Sequence, residues 1–301
     1  MSSRRNDCGQ AAVLTVVFMV VLLGMAAAVL DVGSWYRADR ELQATMDAAA
    51  LAAAQALPDE PATAEALASE YATKNGGGLD STAITTTTIA NDTVSVEGSR
   101  EAPGFFAKLI GVDSVTVNAT AKARTGVLAS ARWAAPIAVD ERHPDLQAER
   151  WDVPTQLELD TVGPGAYRLM NIDGSRGGEN PATLGDWIRN GYDGHMPVNE
   201  WYYSDPGAKY NTNPNFKSAL EEVLASGKEL LFPVYRQTRE QGAGFEYEVV
   251  GWVGFVVTGF EIKGSKNNII EGHFTKVIWE GIFSEEASPE DFGARAVSLI
   301  E

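Results

Sequence analysis

The sequence predicts an α+β protein in which a single amino-terminal transmembrane helix continues into an alanine-rich stalk helix, followed by a two-part, mixed α/β extracytoplasmic head. Three observations predict this class. Residues 11–30 carry no charged side chain, residues 31–57 are rich in alanine and contain no proline, and the remaining chain alternates between strand-like and helix-like segments. We therefore divide the chain into a cytoplasmic tail (1–10), a transmembrane helix (11–30), a stalk helix (31–57), a small β-rich head (58–125) and a larger carboxy-terminal α+β domain (126–301).

The uncharged run is long enough to cross a bilayer. At about 1.5 Å per residue, its 20 residues span about 30 Å, the thickness of the hydrocarbon core. A cleaved secretory signal is the competing interpretation, with Ala26 and Ala28 as its cleavage site. The apolar run is longer than the core of such a signal, and the helical pattern continues past the site. These two features favour an uncleaved anchor.

Residues on both sides of this run predict its orientation and its interfaces. Arg4 and Arg5 precede it, and basic residues favour the cytoplasmic side of a membrane. The amino terminus is therefore expected in the cytoplasm and residues 31–301 outside, in a single-pass protein of the cell membrane. Trp35 and Tyr36 follow the run, where amphipathic aromatic side chains commonly meet the lipid headgroups. We predict that these four residues lie at the membrane interfaces.

The stalk helix carries a stripe of apolar and small residues on one face, which we name the packing seam. Its members recur at spacings of three and four residues, as one face of a helix requires: Leu42, Met46, Ala49, Ala53 and Ala56. The small side chains allow another backbone to approach closely. The seam is expected to pack either on its own domain or on other subunits, and the second interpretation includes self-association.

Charge and cysteine content exclude some classes of partner and of crosslink. The formal net charge is −17, which disfavours nucleic acid because binding to phosphates depends on Lys and Arg. Cys8 is the single cysteine and precedes the apolar run. The chain beyond it therefore cannot form an internal disulfide.

The motifs that carry enzymatic or metal chemistry do not appear, so no catalytic residue, cofactor or metal is predicted. His143, His195 and His273 lie far apart and lack zinc-ligand spacing. The sequence does not exclude a catalytic triad in which His273 meets a serine and an aspartate from distant parts of the chain. Residues 171–175 superficially resemble a calcium loop, but position six is Arg176 rather than glycine, which excludes an EF-hand and leaves only an irregular calcium site.

The residue patterns in the head segments predict short helices and strands. In the first part we predict a helix at 62–74, strands at 82–90, 93–98 and 114–123, and a short helix at 105–111. In the second part we predict helices at 183–192 and 214–227, with strands at 154–160, 166–173, 230–236, 245–264 and 268–283. Trp201, Tyr202 and Tyr203 are expected in a core or in a contact patch.

Several of these features together resemble the amino terminus of TadE/TadG-like proteins of the tight-adherence (Flp) pilus assembly systems. The resemblance is carried by G-Q-A-A-V before the apolar run, A-V-L-D-V-G-S-W-Y-R-A-D-R-E-L-Q after it, and D-A-A-A-L-A-A-A-Q-A-L in the stalk. It covers residues 8–57 most specifically. The order of strands around a short Phe-Phe helix extends it to about residue 124, as in a pilin-like head.

The resemblance implies a membrane-anchored, non-enzymatic component of a pilus assembly or secretion apparatus, either a minor pilin-like subunit or an assembly factor. Its implied partners are the bilayer and other Tad assembly proteins. Two family features are missing: the fifth residue after Gly9 is Leu14 rather than the glutamate of processed pseudopilins, and no D-x-S-x-S metal motif occurs. The alternatives are a membrane-anchored enzyme or ligand-binding head, which predicts a deep polar pocket, and an adhesin, which predicts an aromatic patch.

Overall fold

The computed structural model describes residues 7–159, 166–176, 179–204, 214–241, 244–262, 268–284 and 290–300. It has a mixed α+β architecture with a long apolar amino-terminal helix and a β-rich head. The chain forms two compact units: Met1–Arg124 with Ser298–Glu301 is unit 1, and Thr125–Val297 is unit 2.

One helix runs from the amino-terminal region through the predicted membrane segment and into the head. This helix, α1, spans Asp7–Ala54 and has 48 residues. Side chains at 11–30 are exposed almost throughout, whereas many of those from Asp31 onward are buried in unit 1. The helix ends at Ala54, before the predicted end at residue 57, and residues 55–59 form turns. Pro58 explains the earlier end, since proline disfavours helical geometry at the residue before it and cannot donate a helical hydrogen bond.

A second helix, α2 (Pro61–Lys74), packs against α1 through alanines. Ala64, Ala68 and Ala72 repeat every four residues and are buried. Their small side chains let the two helix backbones come close together. The N–H of Gly77 donates to the carbonyl of Ala72 at 2.8 Å and closes the helix, with Gly77 at a positive φ of 75° that suits glycine.

Unit 1 also contains an antiparallel sheet, which is formed by β1 (Leu79–Thr85), β2 (Thr93–Pro103) and β3 (Ser114–Ala131). The division between the two units falls within β3. A short 3-10 helix, η1 (Ala107–Ile110), connects β2 to β3. β2 packs on α1 and buries Val94 and Val96 completely.

The threonines at 86–88 are not part of a strand, so the prediction of a strand over 82–90 is wrong beyond Thr85, where β1 ends. The carboxylate of Asp92 accepts hydrogen bonds from the backbone N–H groups of Thr87, Thr88 and Ile89, at 2.7, 2.7 and 3.0 Å. These bonds hold residues 87–89 in a tight loop, so their backbone does not pair with a neighbouring strand. Burial raises the pKa of Asp92, but the hydrogen bonds outweigh it and leave this pKa below its ordinary value.

Unit 2 contains a closed ring of six strands. They are β4 (Ile137–Asp140), β5 (Thr155–Leu159), β6 (Ala166–Leu169), β9 (Glu229–Gln241), β10 (Gly244–Glu261) and β11 (Ile269–Thr275). The order around the ring is β11-β5-β6-β4-β9-β10, and β10 pairs with β11 to close it. The 18-residue β10 makes this possible, because its later half pairs with β11 while its earlier half pairs with β8 (Glu200–Tyr203).

Besides β8, the described residues of unit 2 also form three helices and four short strands, the last of which ends in residues that belong to unit 1. The helices are α3 (Pro144–Gln147), α4 (Pro181–Asn190) and α5 (Pro214–Ser226). The strands are β7 (Met196–Pro197), β12 (Val277–Ile278), β13 (Gly281–Phe283) and β14 (Ala294–Ile300). α4 and α5 pack on each other, and α5 packs on β10. The largest fully buried side chains of this unit are aromatic: Phe216, Phe232, Trp252, Phe255 and Phe274.

The single strand predicted at 268–283 is three strands in the structure. β11 pairs with β10 and β5, β12 pairs with β14 in parallel, and β13 pairs with β3. The backbone must leave one partner to reach the next, so it breaks at Lys276 and again after Ile278. Because these pairings depend on the fold as a whole, the local pattern of apolar residues did not reveal the breaks.

Candidate functional site: the junction of the apolar helix and the head

The apolar half of α1 is exposed along almost its whole length in the part of the chain that the structure describes. Its most apolar 18 residues include no buried residue. Among the described helices, α1 is the one long and apolar enough to cross a membrane. A helix with large apolar side chains exposed on all sides would be insoluble in water, and a bilayer supplies the missing apolar environment.

Asp31, the first charged residue after the apolar run, fixes the β2–β3 connection to α1. Its carboxylate accepts hydrogen bonds from the backbone N–H groups of Phe105, at 2.9 Å, and Phe106, at 3.0 Å, and from that of Ala107. The side chain is only 2% exposed. Burial raises the pKa of Asp31, but the three donors outweigh this and hold the pKa below its ordinary value.

Trp35 makes a second attachment one turn further along α1. Its indole Nε1 donates to the carbonyl of Pro103 at 3.2 Å. Its neighbour Tyr36 is 59% exposed, and the Tyr36 hydroxyl accepts a hydrogen bond from Arg40 Nε at 3.0 Å. Of the four predicted interface residues, Trp35 therefore contacts the head and Tyr36 faces outward, while Arg4 and Arg5 lie outside the described residues. Their placement at the membrane interfaces stays a prediction.

The connection held by Asp31 presents a cluster of large apolar side chains to the outside. We name residues 105–112 the apolar loop. Leu109 and Ile110 are 86% and 83% exposed, and Phe105 and Phe106 are 65% and 45% exposed. The loop and α1 line an open apolar groove of about 710 Å³. Leu109 and Ile110 line this groove together with Val20 and Leu23, which belong to the uncharged run.

The packing seam lies on the other side of this junction, inside unit 1. Leu42, Met46, Ala49 and Ala53 have no exposed surface. Ala56 lies beyond the end of α1 and is partly exposed. Met46 packs directly over β2, where a Cβ added at Gly98 would lie 2.6 Å from its sulfur. The described structure therefore brings four of the five predicted seam residues together in one buried face.

Sequence reasoning missed Asp31 and the apolar loop as functional residues. Both left a signal: Asp31 is the first charge after a run of 20 uncharged residues, and the short helix predicted at 105–111 has Phe105, Phe106, Leu109 and Ile110 close together. The hydrogen bonds that join them connect residues more than 70 positions apart. No local pattern could have paired them.

The candidate residues in unit 2 take part in ordinary packing. Tyr202 is buried, whereas Trp201 and Tyr203 are partly exposed. An arginine lies over each of the two partly exposed rings. The guanidinium of Arg239 is 4.1 Å from the Trp201 ring centre, and that of Arg176 is 5.0 Å from the Tyr203 ring centre. The aromatic patch is thus partly covered by cations.

The structure places His143, His273 and the candidate calcium loop in separate local environments. His273 Nε2 lies 3.6 Å from an exposed carboxylate oxygen of Asp152. His143 is buried, its Nδ1 accepts from the N–H of Asp145 at 3.1 Å, and burial lowers its pKa. Asp173 accepts from the N–H of Ser175 at 2.8 Å within a tight turn. Within the described ranges, no group of three or more His, Cys, Asp and Glu side chains is arranged to hold a metal ion.

These features define a class of protein: an α+β head whose first helix extends as a single exposed apolar span. Residues 9–56 match the family model Tad, described as Flp pilus-assembly TadE/G-like. The match confirms the resemblance over the apolar run and nearly all of the stalk. No curated protein and no solved structure matches the chain.

We expect Asp31→Ala to release the apolar loop from α1. The substitution leaves three backbone N–H groups without their acceptor, and unpaired donors exchange readily with water. Hydrogen exchange at Phe105–Ala107, measured by mass spectrometry on the full-length protein in vesicles, should become about tenfold faster or more. Asp39→Ala, on the same helix, is the control and should leave this exchange unchanged. Equal protection in both variants would show that Asp31 does not hold the loop.

Proposed function

We propose that this protein is a non-enzymatic, membrane-anchored component of a Flp/Tad-type pilus apparatus, acting as a minor pilin-like subunit or an assembly factor. The observation that carries the proposal is the family match at residues 9–56. This match covers the helix that joins the membrane to the head. The partners are the bilayer and other proteins of the Tad system, and the cation-poor composition gives nucleic acid no role.

The build of α1 supports a mechanical role. The same continuous helix is exposed and apolar at 11–30 and forms part of the core of unit 1 at Leu42, Met46, Ala49 and Ala53. No break in the helix separates the apolar segment from the part of α1 that is buried in unit 1, so a displacement of the apolar segment is transmitted to the rest of unit 1. A continuous helix of this kind suits a subunit in which unit 1 must stay fixed to its membrane segment.

The basic residues at the amino terminus support the proposed orientation. Arg4 and Arg5 favour a cytoplasmic amino terminus. In this topology residues 31–301 lie outside the cytoplasm, where a pilus is built. The protein is then a single-pass protein of the cell membrane.

The test is a deletion of the gene in the cells that produce the protein, complemented by a copy with a carboxy-terminal tag. Cells are sheared, and the tag is followed in the released fibres and in the membranes. Loss of pili on deletion, with restoration by the tagged copy, is the expected result. Full-length tag retained in membranes would identify an assembly factor, and tag in the fibres would identify a subunit. Normal pili without the protein would overturn the proposal.

Two arginine substitutions, one in the apolar run and one in the stalk, test in the same cells whether pilus assembly depends on the membrane anchor. Val20→Arg places a charge in the middle of the apolar run, and inserting this charge into the bilayer costs about 2.5–3.5 kcal/mol. We expect pili to be lost, since the anchor fails. The control is Ala44→Arg, which adds the same charge to an exposed position of the stalk. Pilus assembly should survive that change.

A further inference from the structure

We propose that the apolar loop enters the outer leaflet beside α1 and forms a second contact between unit 1 and the lipid bilayer. The proposal rests on the single membrane span and not on the role in pilus assembly. Lipid is what covers the exposed side chains of the apolar loop. Four observations on the loop and its surroundings support this proposal.

The first observation is the exposure of the loop. Leu109 and Ile110 are among the most exposed large apolar side chains of the described residues, and Phe105 and Phe106 adjoin them. Single exposed apolar residues are common on protein surfaces, but a contiguous cluster of four marks an interaction site. Together with the neighbouring surface of α1, they form one apolar surface that is continuous with the span.

The second observation is depth. Leu109 and Ile110 line the same groove as Val20, Leu23 and Gly24. Leu23 lies about 10 Å along the helix axis before Leu30, the last residue of the uncharged run, at about 1.5 Å per residue. If the run spans the hydrocarbon, side chains that face Leu23 lie at the depth of hydrocarbon rather than in water.

The third observation is the pairing of backbone donors, which hydrocarbon demands because no water can satisfy them there. Asp31 accepts from three N–H groups at the start of the loop. Within the loop, the N–H of Leu109 donates to Phe106 at 2.9 Å and that of Val112 donates to Ala107 at 3.0 Å. The N–H of Gly111 donates to the carbonyl of Lys108 at 3.1 Å. Because these backbone N–H groups already have acceptors within the protein, they give up few hydrogen bonds to water when the loop enters hydrocarbon.

The fourth observation is the charge within the loop. Lys108 is exposed and stands between the apolar side chains. A lysine can lay its methylene stem along lipid while its ammonium group reaches the phosphates. The apolar loop thus combines apolar side chains that suit lipid tails with a cation that suits anionic headgroups, a pairing typical of segments that lie in the membrane interface.

The experiment places a spin label on the full-length protein in vesicles of phosphatidylethanolamine and phosphatidylglycerol. Cys8 is first replaced by serine, and single cysteines are introduced as Leu109→Cys, Ala28→Cys and Ser81→Cys. Ala28 belongs to the span, and Ser81 is an exposed residue of β1. Collisions of each label with oxygen, which enters lipid, are compared with collisions with a water-soluble nickel chelate.

We expect the label at 109 to behave like the label at 28, with several-fold more collisions with oxygen than with nickel, and the label at 81 to show the reverse. Adding Ile110→Glu should shift the label at 109 toward the nickel-accessible state. A label at 109 that resembles the one at 81 would overturn the proposal, because the loop would lie in water. Low collision rates with both reagents would also overturn it, since a second copy of the chain would then cover the loop.

Discussion

Phe255→Ala is expected to produce the largest loss of stability in unit 2. Phe255 is fully buried on β10, stacked on Phe232 of β9 with ring centres 4.9 Å apart and in edge contact with Phe274 of β11 at 5.3 Å. It thus joins three neighbouring strands of the closed ring. Removing a buried phenyl ring costs about 3–5 kcal/mol, because apolar contacts are lost and a cavity stays behind.

Chemical unfolding of the full-length protein in detergent micelles, followed by tryptophan fluorescence, measures this change. Six of the seven tryptophans lie in residues 125–297, so the signal reports mainly on unit 2. Phe245→Ala is the matched control, since Phe245 lies on the same strand but is 48% exposed. It should cost less than about 1 kcal/mol. Equal losses for the two variants would contradict the closed aromatic core.

Met46→Ala is expected to have the largest effect on unit 1. Met46 has no exposed surface and fills the space over Gly98 of β2. A buried Met→Ala change costs about 2–5 kcal/mol. Because Met46 belongs to the helix that continues into the membrane, the change also loosens the attachment of the head to its anchor. Hydrogen exchange at residues 94–98, measured on the full-length protein in vesicles, should become markedly faster.

Met25→Ala provides the control for this experiment. Met25 lies on the same helix but is 62% exposed in the apolar run. Its loss should leave exchange in β2 unchanged. If the two methionine variants gave the same exchange, the burial of the packing seam against β2 would be refuted.

Many segments of the head could be predicted from the sequence because their signals are local. The alternation around Val115 and Val117 indicated β3, and the proline and glycine at the two ends indicated α5. The threonine run failed because its β-branched residues favour a strand, while the carboxylate of Asp92 binds the backbone of that segment. A side chain that competes for backbone donors overrides local preference.

The candidate site was predictable in part for the same reason. The spacing of Leu42, Met46, Ala49 and Ala53 identifies a helical face directly, but not what covers it. The contacts of Asp31 and Trp35 with the β2–β3 connection were not predictable. They depend on how the chain returns to α1 after passing through two strands.

The sequence by itself determined the uncharged span, the helix that continues from it and the family resemblance of residues 9–56, because each is a property of consecutive residues. Tertiary structure alone decided that β10 and β11 close a six-stranded ring and that Asp31 holds the apolar loop beside the span. Both depend on pairings between separate segments. Such pairings are selected by burial and hydrogen bonding in the folded chain as a whole, and no short stretch of sequence records them.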